Sequence, residues 1–291
     1  MIENDAVRAA VSEHPRLWEE NRYVYPVLSR RSKGVSIGVN LNPDKICNFD
    51  CIYCQVDRDI APVHREVDLD ILSSELKQLM TWVHDGTLFE RPPFEGVPDS
   101  VKRVNDIAFS GDGEPTSNPR FHEVVQLAAE TRDALGLDDV KLVVITNCTL
   151  FQREHVRNAL DYLDAHNGEI WAKLDAGTED YYKKIDRTRV SFSQILENIK
   201  TAANARPLVI QSLFMKVDGA PPPEAEIDAY CDVLSDVLNS GGDIKLVQLY
   251  TVARQPAEDY VAPLSNEAMD RLGDSVRMRV GAPVEVYYGV S

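Results

Sequence analysis

Val35-Ser36-Ile37-Gly38-Val39-Asn40-Leu41 runs directly into Asn42-Pro43-Asp44-Lys45-Ile46-Cys47-Asn48-Phe49-Asp50-Cys51-Ile52-Tyr53-Cys54. The first seven residues alternate apolar with small or polar, the period of a strand. The rest is crowded with Asn, Pro and Asp, which are poor helix formers. The three cysteines therefore lie in a loop that leaves a strand end. Their spacing is C-x3-C-x2-C, with Tyr53 just before the last thiol. Offsets of four and three residues also describe a buried helical stripe, on which free cysteine packs as a small hydrophobe. The helix-poor composition speaks against that. Zinc is a second reading, with His64 as a fourth ligand, but zinc sites usually pair two C-x2-C knuckles and one is present. The spacing favours a third: three thiolates on three irons of a [4Fe–4S] cluster, the fourth iron left open to a small molecule. A cluster with an open corner is a reaction centre.

Downstream, strand-like and helix-like segments alternate. After Val35–Leu41, runs rich in Val, Ile and Leu occur at Val104–Phe109, Lys141–Thr146, Ile170–Leu174, Leu208–Val217 and Ile244–Tyr250, as buried parallel strands require. Helical stretches are predicted at Leu69–Val83, Phe121–Ala134, Phe151–His166, Ser191–Ala203 and Pro223–Leu238. A last helix, Asn266–Arg279, leads into a possible seventh strand at Pro283–Tyr288. The fold class is α/β: repeated β-then-α units imply a parallel sheet with right-handed crossovers. Six units can form a partial (β/α)6 TIM-like barrel, with a doubly wound open sheet as the alternative. In both, ligands gather at the carboxyl ends of the strands. The expected organisation is an N-terminal extension over residues 1–34, a core over 35–255, and a C-terminal helix and strand over 256–291. Phe89–Asp99, with Pro92, Pro93 and Pro98, reads as an irregular structural insert.

The chain has 291 residues, 44% of them hydrophobic, and a net charge of −16. The pI is near 4.8. That balance disfavours non-specific nucleic-acid binding, which needs a cationic surface. Arg30-Arg31-Ser32-Lys33 is the one compact basic run and reads as a solvated turn. The first residues show no signal peptide, and no apolar stretch approaches bilayer length. Five cysteines, three of them clustered, do not make a secreted disulfide framework. The expectation is a cytoplasmic protein without membrane contact.

After the second core strand comes Ser110-Gly111-Asp112-Gly113-Glu114-Pro115-Thr116. Glycines at a strand end let backbone approach a ligand closely, and a carboxylate there can meet an ammonium. With Cys47-x3-Cys51-x2-Cys54 after one strand and Gly111-Asp112-Gly113-Glu114-Pro115 after the next, the chain resembles the radical S-adenosylmethionine (SAM) superfamily over roughly residues 35–255. Thr146-Asn147-Cys148-Thr149, Lys173-Leu174-Asp175-Ala176-Gly177 and Gln248-Leu249-Tyr250-Thr251-Val252 look, more loosely, like a subgroup related to the wyosine-type tRNA synthases.

The resemblance implies that Cys47, Cys51 and Cys54 ligate one [4Fe–4S] cluster. SAM would chelate its open iron. Glu114 would bond the SAM ammonium, Gly111, Asp112 and Gly113 would line the methionine end, and Tyr53 would lie beside the adenine. The family usually places two adjacent glycines before the glutamate; here Asp112 stands between Gly111 and Gly113. Reductive cleavage of SAM would give a 5′-deoxyadenosyl radical, with flavodoxin or ferredoxin as the electron donor. The substrate is unidentified: an RNA base, a small metabolite or a peptide side chain. The rival reading is a non-catalytic iron–sulfur or zinc module.

Further candidates follow from position. Lys173 and Asp175 share one side of a strand end. Asp175 could reach cofactor, and Lys173 could form a Schiff base with a carbonyl substrate, although an ion pair between the two is favoured. Asn147 is a candidate SAM or substrate ligand with a turn role as its alternative. Cys148 is a candidate hydrogen-atom donor, with an inert buried thiol favoured. Cys231 falls on an apolar helix stripe. A second cluster would need about three more thiolates, and two remain, which weighs against a mechanism with an extra cluster. Gln211, Ser212, Gln248 and Tyr250 are polar groups in apolar strands, lining a cavity or satisfied in the core. Glu169 and Trp171 read as structural, and the dispersed histidines as surface residues.

Overall fold

Pro26 has no N–H to give a ladder and is confined in sheets to edges, and it lies in the first strand, β1 (Val24–Ser29). β1 pairs antiparallel with β2 (Gly34–Val39), from Val24 opposite Val39 to Ser29 opposite Gly34. A computed structural model describes Val7 and residues 18–31, 33–254, 256 and 258–289. The signal-peptide expectation at residues 1–5 and Ser32 of the basic run fall outside them.

β3 (Val104–Phe109), β4 (Lys141–Thr146), β5 (Gly168–Lys173), β6 (Leu208–Leu213), β8 (Ile244–Tyr250) and β10 (Val284–Tyr287) complete an eight-stranded sheet in the order β1-β2-β3-β4-β5-β6-β8-β10. From β2 on, the order follows the chain without reversal. A doubly wound sheet reverses at a switch point; a single winding of β/α units does not. The fold is α/β with six core strands, the (β/α)6 arrangement, and the sheet order ends at β1 and β10 rather than closing.

The sequence expectation of one strand over Leu208–Val217 is corrected. The apolar run divides at Phe214, whose N–H donates to the Tyr250 carbonyl at 2.9 Å. Beyond it, β7 (Met215–Val217) leaves the main sheet and pairs antiparallel with β9 (Val261–Pro263). The N-terminal extension contains β1, a strand not anticipated.

The chain forms two compact units. The first comprises Met1–Cys47, Ile60–Ile145 and Arg153–Glu169. Here α1 (Leu69–Asp85) starts at Asp68, whose carboxylate caps the N–H groups of Asp70 and Ile71, and stops at Gly86 with φ 91°. It buries Leu72, Leu76, Leu79 and Val83 on one stripe, as the helical period requires. Glu75 on the same stripe accepts from the backbone N–H groups of Arg22, Tyr23 and Val24, which fixes the entry to β1. The insert after α1 buries Leu88, Phe94 and Val97, with Phe94 edge-on to Trp18, so it belongs to the core. α2 (Phe121–Ala134) and α3 (Glu154–Ala165) complete this unit.

The second unit comprises Asn48–Asp59, Thr146–Gln152 and Ile170–Ser291. Its helices are α4 (Glu179–Asp186), α5 (Phe192–Ala205), α6 (Glu224–Asn239) and α7 (Asn266–Arg279). α4 was not anticipated. It is short and polar, begins at a Thr178 cap, and ends at Arg187 with φ 44°. Cys231 is buried on α6. No helix among the described residues is long and apolar enough to cross a membrane.

Candidate functional site

In the first unit, the loop after β3 is fitted to the segment after β2. A Cβ on Gly111 would lie 2.3 Å from Asn40 Oδ1, and one on Gly113 would lie 2.1 Å from the Ile46 carbonyl. Both positions require glycine. Position 112 does not: the Asp112 carboxylate accepts from Asn40 Nδ2 at 2.7 Å, and its N–H donates to Asn40 Oδ1 at 3.1 Å. That accounts for an aspartate between the two glycines. Asn42 Nδ2 donates to Ser117 Oγ at 3.1 Å, a second tie between the loops. Glu114 is buried at the start of a 3-10 turn, and its Oε1 accepts from the Thr116 N–H and hydroxyl. Cys47 closes this unit with a half-buried thiol.

In the second unit, the segment from Asn48 to Cys54 is tethered at nearly every residue. The Asn48 carbonyl accepts from Thr188 Oγ1 at 2.8 Å, and its side chain donates to Thr149 Oγ1 and accepts from Asn147 Nδ2, both at 2.7 Å. Asp50 N–H donates to the Asp186 carbonyl at 3.1 Å, and Ile52 N–H to the Ile185 carbonyl at 2.9 Å. Arg187 Nε returns to the Asp50 carbonyl at 2.7 Å. The Ile52 side chain is buried in one apolar cluster with Ile185, Leu213 and Met215. Cys51 and Cys54 remain half-buried free thiols, joined through a turn in which Cys54 N–H meets the Cys51 carbonyl. The Cys51 thiol donates to Asp186 Oδ1 at 3.2 Å. Burial, then Asp186, pushes that thiol up; burial, then Asp175, pushes Asp186 up to about 8.

The Tyr53 hydroxyl donates to Asp175. Asp175 also accepts from the Leu213 N–H at 2.7 Å and pairs with Lys173 at 3.2 Å. Lys173 donates to the Tyr250 hydroxyl at 2.9 Å, and its ammonium lies 5.1 Å from the Tyr53 ring centre and 5.5 Å from that of Tyr250. Burial works against the Lys173 charge, but Asp175 and Tyr250 outweigh it and hold its pKa above the usual lysine value. A Schiff-base lysine attacks as a neutral amine, so this environment favours the ion pair.

Asn147 occupies a turn. Its Oδ1 accepts from the N–H and hydroxyl of Thr149, while its amide holds Asn48. Cys148 is fully buried with φ 63°. Ser212 bonds the Tyr230 hydroxyl at 2.7 Å, and Gln211 bonds Gln248 at 3.3 Å, so these polar groups have partners in the core. Glu169 pairs with Lys141 at 2.9 Å, and Trp171 is buried. His64 lies beside the Tyr23 ring, and His166 stacks on Tyr162. Among the described residues, no group of three or more His, Cys, Asp or Glu side chains is arranged to hold a single metal ion. By residue type the donor set suits a cluster with one open iron: three cysteines close in sequence, none in a disulfide and none fully buried. Residue spacing alone does not reveal Asp186, Thr188 or Arg187; the capping Thr178 before Glu179 and Asp180 was the one local signal for the helix that carries them.

Comparison with known proteins gives three results. Residues 41–219 match the family model described as the Radical SAM superfamily, a span that contains both loops. A UPF0026 protein of Methanocaldococcus jannaschii is 25% identical over 256 residues, covering 85% of this chain and 68% of that protein. A protein of Brachyspira hyodysenteriae named GTPase Obg is 24% identical over 253 residues, covering 84% of this chain but 32% of that protein, so the chain spans about a third of this relative's length. In fold, the chain is similar to Streptococcus suis SuiB bound to S-adenosylmethionine, with a TM-score of 0.58 at 10% identity, covering 89% of this chain and 52% of SuiB. It is also similar to TYW1 with a lysine-pyruvate adduct bound, with a TM-score of 0.51 at 14% identity, covering 86% and 74%. At these identities the likeness is one of fold, and it is the partial TIM-like barrel that the strand order indicates.

Proposed function

The chain belongs to the radical SAM superfamily, and from that premise we propose that it reductively cleaves S-adenosylmethionine at a [4Fe–4S] cluster ligated by Cys47, Cys51 and Cys54. The observation that carries this reading is the C-x3-C-x2-C loop itself, lying inside the matched span with none of its cysteines in a disulfide. When bound, the cluster would supply the one low-potential electron that breaks the S–C5′ bond of the sulfonium, with methionine leaving and a 5′-deoxyadenosyl radical available to take a hydrogen atom from the substrate.

The chain's own residues bind and orient. Gly111 and Gly113, packed closely on Asn40, Asn42 and Ile46, would set the backbone that lines the methionine end, and the buried Glu114 carboxylate would meet the ammonium. Tyr53 offers its ring to the adenine while its hydroxyl is fixed by Asp175. The substrate is an RNA base or a small metabolite; the net charge of −16 supports the metabolite. The electron comes from a flavodoxin or ferredoxin, and five cysteines, three of them clustered, suit the reducing cytoplasm better than a secreted disulfide framework.

Anaerobic reconstitution tests the reading. The protein reduced with dithionite should convert SAM to 5′-deoxyadenosine, and Cys51→Ala should lose the cluster absorbance and that conversion together. A colourless protein that leaves SAM intact, or a Cys51→Ala variant that keeps both properties, would refute it.

A further inference from the structure

Two short segments far along the chain grip the cysteine loop, and the grip reaches backbone as well as side chains. The first is the end of α4 with the residues after it. Ile185 and Asp186 accept the N–H groups of Ile52 and Asp50, while Arg187 and Thr188 donate back to the carbonyls of Asp50 and Asn48. The alternation resembles a strand edge laid along the loop. Ile52 and Ile185 are both buried in the same apolar cluster, so side-chain packing and the hydrogen bonds set one register. The second is Asp175, 1% exposed at its side chain, whose carboxylate takes the Tyr53 hydroxyl and is itself fixed by the Leu213 N–H and the Lys173 ammonium. Arg187 is fixed in turn, at 2.6 Å from Glu258 and 3.3 Å from Asp50.

We propose that Asp175 and residues 185–188 are positioning groups that hold Cys51 and Cys54 in their ligating arrangement before any cluster is present. None of them is a catalytic residue. This rests on the preceding assignment of the two cysteines as cluster ligands. It gives Asp175 a different task from contact with SAM: the carboxylate already receives three protein donors and lies one hydroxyl away from the loop it steadies. A loop of poor helix formers carrying a Pro and several Asn and Asp would otherwise sample many shapes, and ordering it during cluster capture would cost affinity. Preorganisation removes that cost, and outer groups that orient ligands typically change metal affinity about 10–100-fold when lost.

The test uses the whole chain in two states. In the apo-protein, the Asp50 and Ile52 amides should exchange slowly with deuterium, as internally bonded amides do. In the anaerobically reconstituted protein, Tyr53→Phe and Thr188→Val, which each remove one hydroxyl and leave the fold intact, should release iron to a chelator about tenfold faster than the parent. Their apo urea midpoints should fall only slightly, as the loss of one hydrogen bond does, so that global unfolding does not account for the faster release of iron. Asp175→Asn should act in the same direction, and Tyr53→Phe should have a smaller effect in the Asp175→Asn background than in the parent, because the two changes share the Tyr53–Asp175 contact. Free exchange at both amides, or parent-like iron release from Tyr53→Phe and Thr188→Val together, overturns the proposal. A parent protein that takes up no iron but protects both amides would instead overturn the cluster assignment and leave the grip standing.

Discussion

Glu75→Ala is the substitution whose cost in the first unit follows most directly from geometry. Glu75 Oε1 accepts the Arg22 N–H at 2.8 Å, and Oε2 accepts those of Tyr23 and Val24 at 2.9 and 3.1 Å. The carboxylate is 7% exposed, Tyr23 is 2% and Val24 is 0%. Arg22 is exposed, so its amide finds water when the acceptor goes. The other two amides do not. Two buried donors without an acceptor cost about 1–3 kcal/mol each, giving about 2–6 kcal/mol. That is a large share of the roughly 5–15 kcal/mol by which domains are stable. Glu75→Gln can keep its one acceptor oxygen on the Tyr23 and Val24 N–H groups with its NH2 toward the exposed Arg22 amide, so it should recover more than half of the loss. The assay is urea unfolding followed by far-UV circular dichroism, with the exposed Glu66→Ala as a control expected to change stability by less than about 0.5 kcal/mol. If Glu75→Ala unfolds at the parent midpoint, these amides are reached by water and the reasoning from burial is wrong.

Gly113→Ala must displace both the Ile46 carbonyl and the Asn42 side chain, or shift its own backbone, because its Cβ would lie 2.1 and 2.8 Å from them. It should weaken SAM binding about tenfold or more by calorimetry on the reconstituted protein, whereas Gly281→Ala, with nothing within 4 Å, should not. Glu114→Gln should retain the brown cluster, read by its absorbance, and lose about tenfold or more in SAM affinity as a charge-assisted bond becomes a neutral one. Glu226 accepts from Thr178 Oγ1 at 2.6 Å and from the Gly177 and Thr178 N–H groups, which fixes the turn after Asp175. Glu226→Ala should cost about 2–4 kcal/mol in urea, and an unchanged midpoint would show the turn to be held by other means.

The strands that sequence reading locates well are those buried on both sides. Val104–Phe109, Lys141–Thr146 and Ile244–Tyr250 appear with the limits their Val, Ile and Leu content suggests, because a parallel strand covered by helices has little choice of residue. β1 escapes notice since Pro26 argues against a strand, yet at an edge the missing N–H costs nothing to the ladder. The break at Phe214 is equally silent: apolar residues continue across it, and what changes is the pairing partner, a property of residues 261–263 and not of the run itself. α4 is missed because eight residues with four charged in the first six positions carry too little apolar periodicity to read, and their stability comes from a cap and from packing of Tyr182 and Ile185.

The candidate site divides in the same way, and the division has a physical origin. Thiols at fixed spacing and glycines beside an acid are legible because ligation and close backbone approach admit few residue types. The groups that hold those residues still are chosen by geometry at long range. Asp186 meets Cys51 across 135 positions, Thr188 meets Asn48 across 140, and Asp175 meets Tyr53 across 122. Nothing in a period of two or 3.6 residues encodes such a meeting. Asp112 shows the converse. As a departure from two adjacent glycines it looks like a defect in the motif, yet its side chain is drawn to Asn40 while positions 111 and 113 keep the bare backbone that the close contacts demand. The constraint therefore falls on two alternate positions, and the residue between them is free to contribute a tie of its own. Asp112→Gly should then preserve the backbone path and the N–H bond to Asn40 Oδ1 while removing the carboxylate's bond to Asn40 Nδ2, so any loss of SAM affinity in that variant would report the side-chain tie.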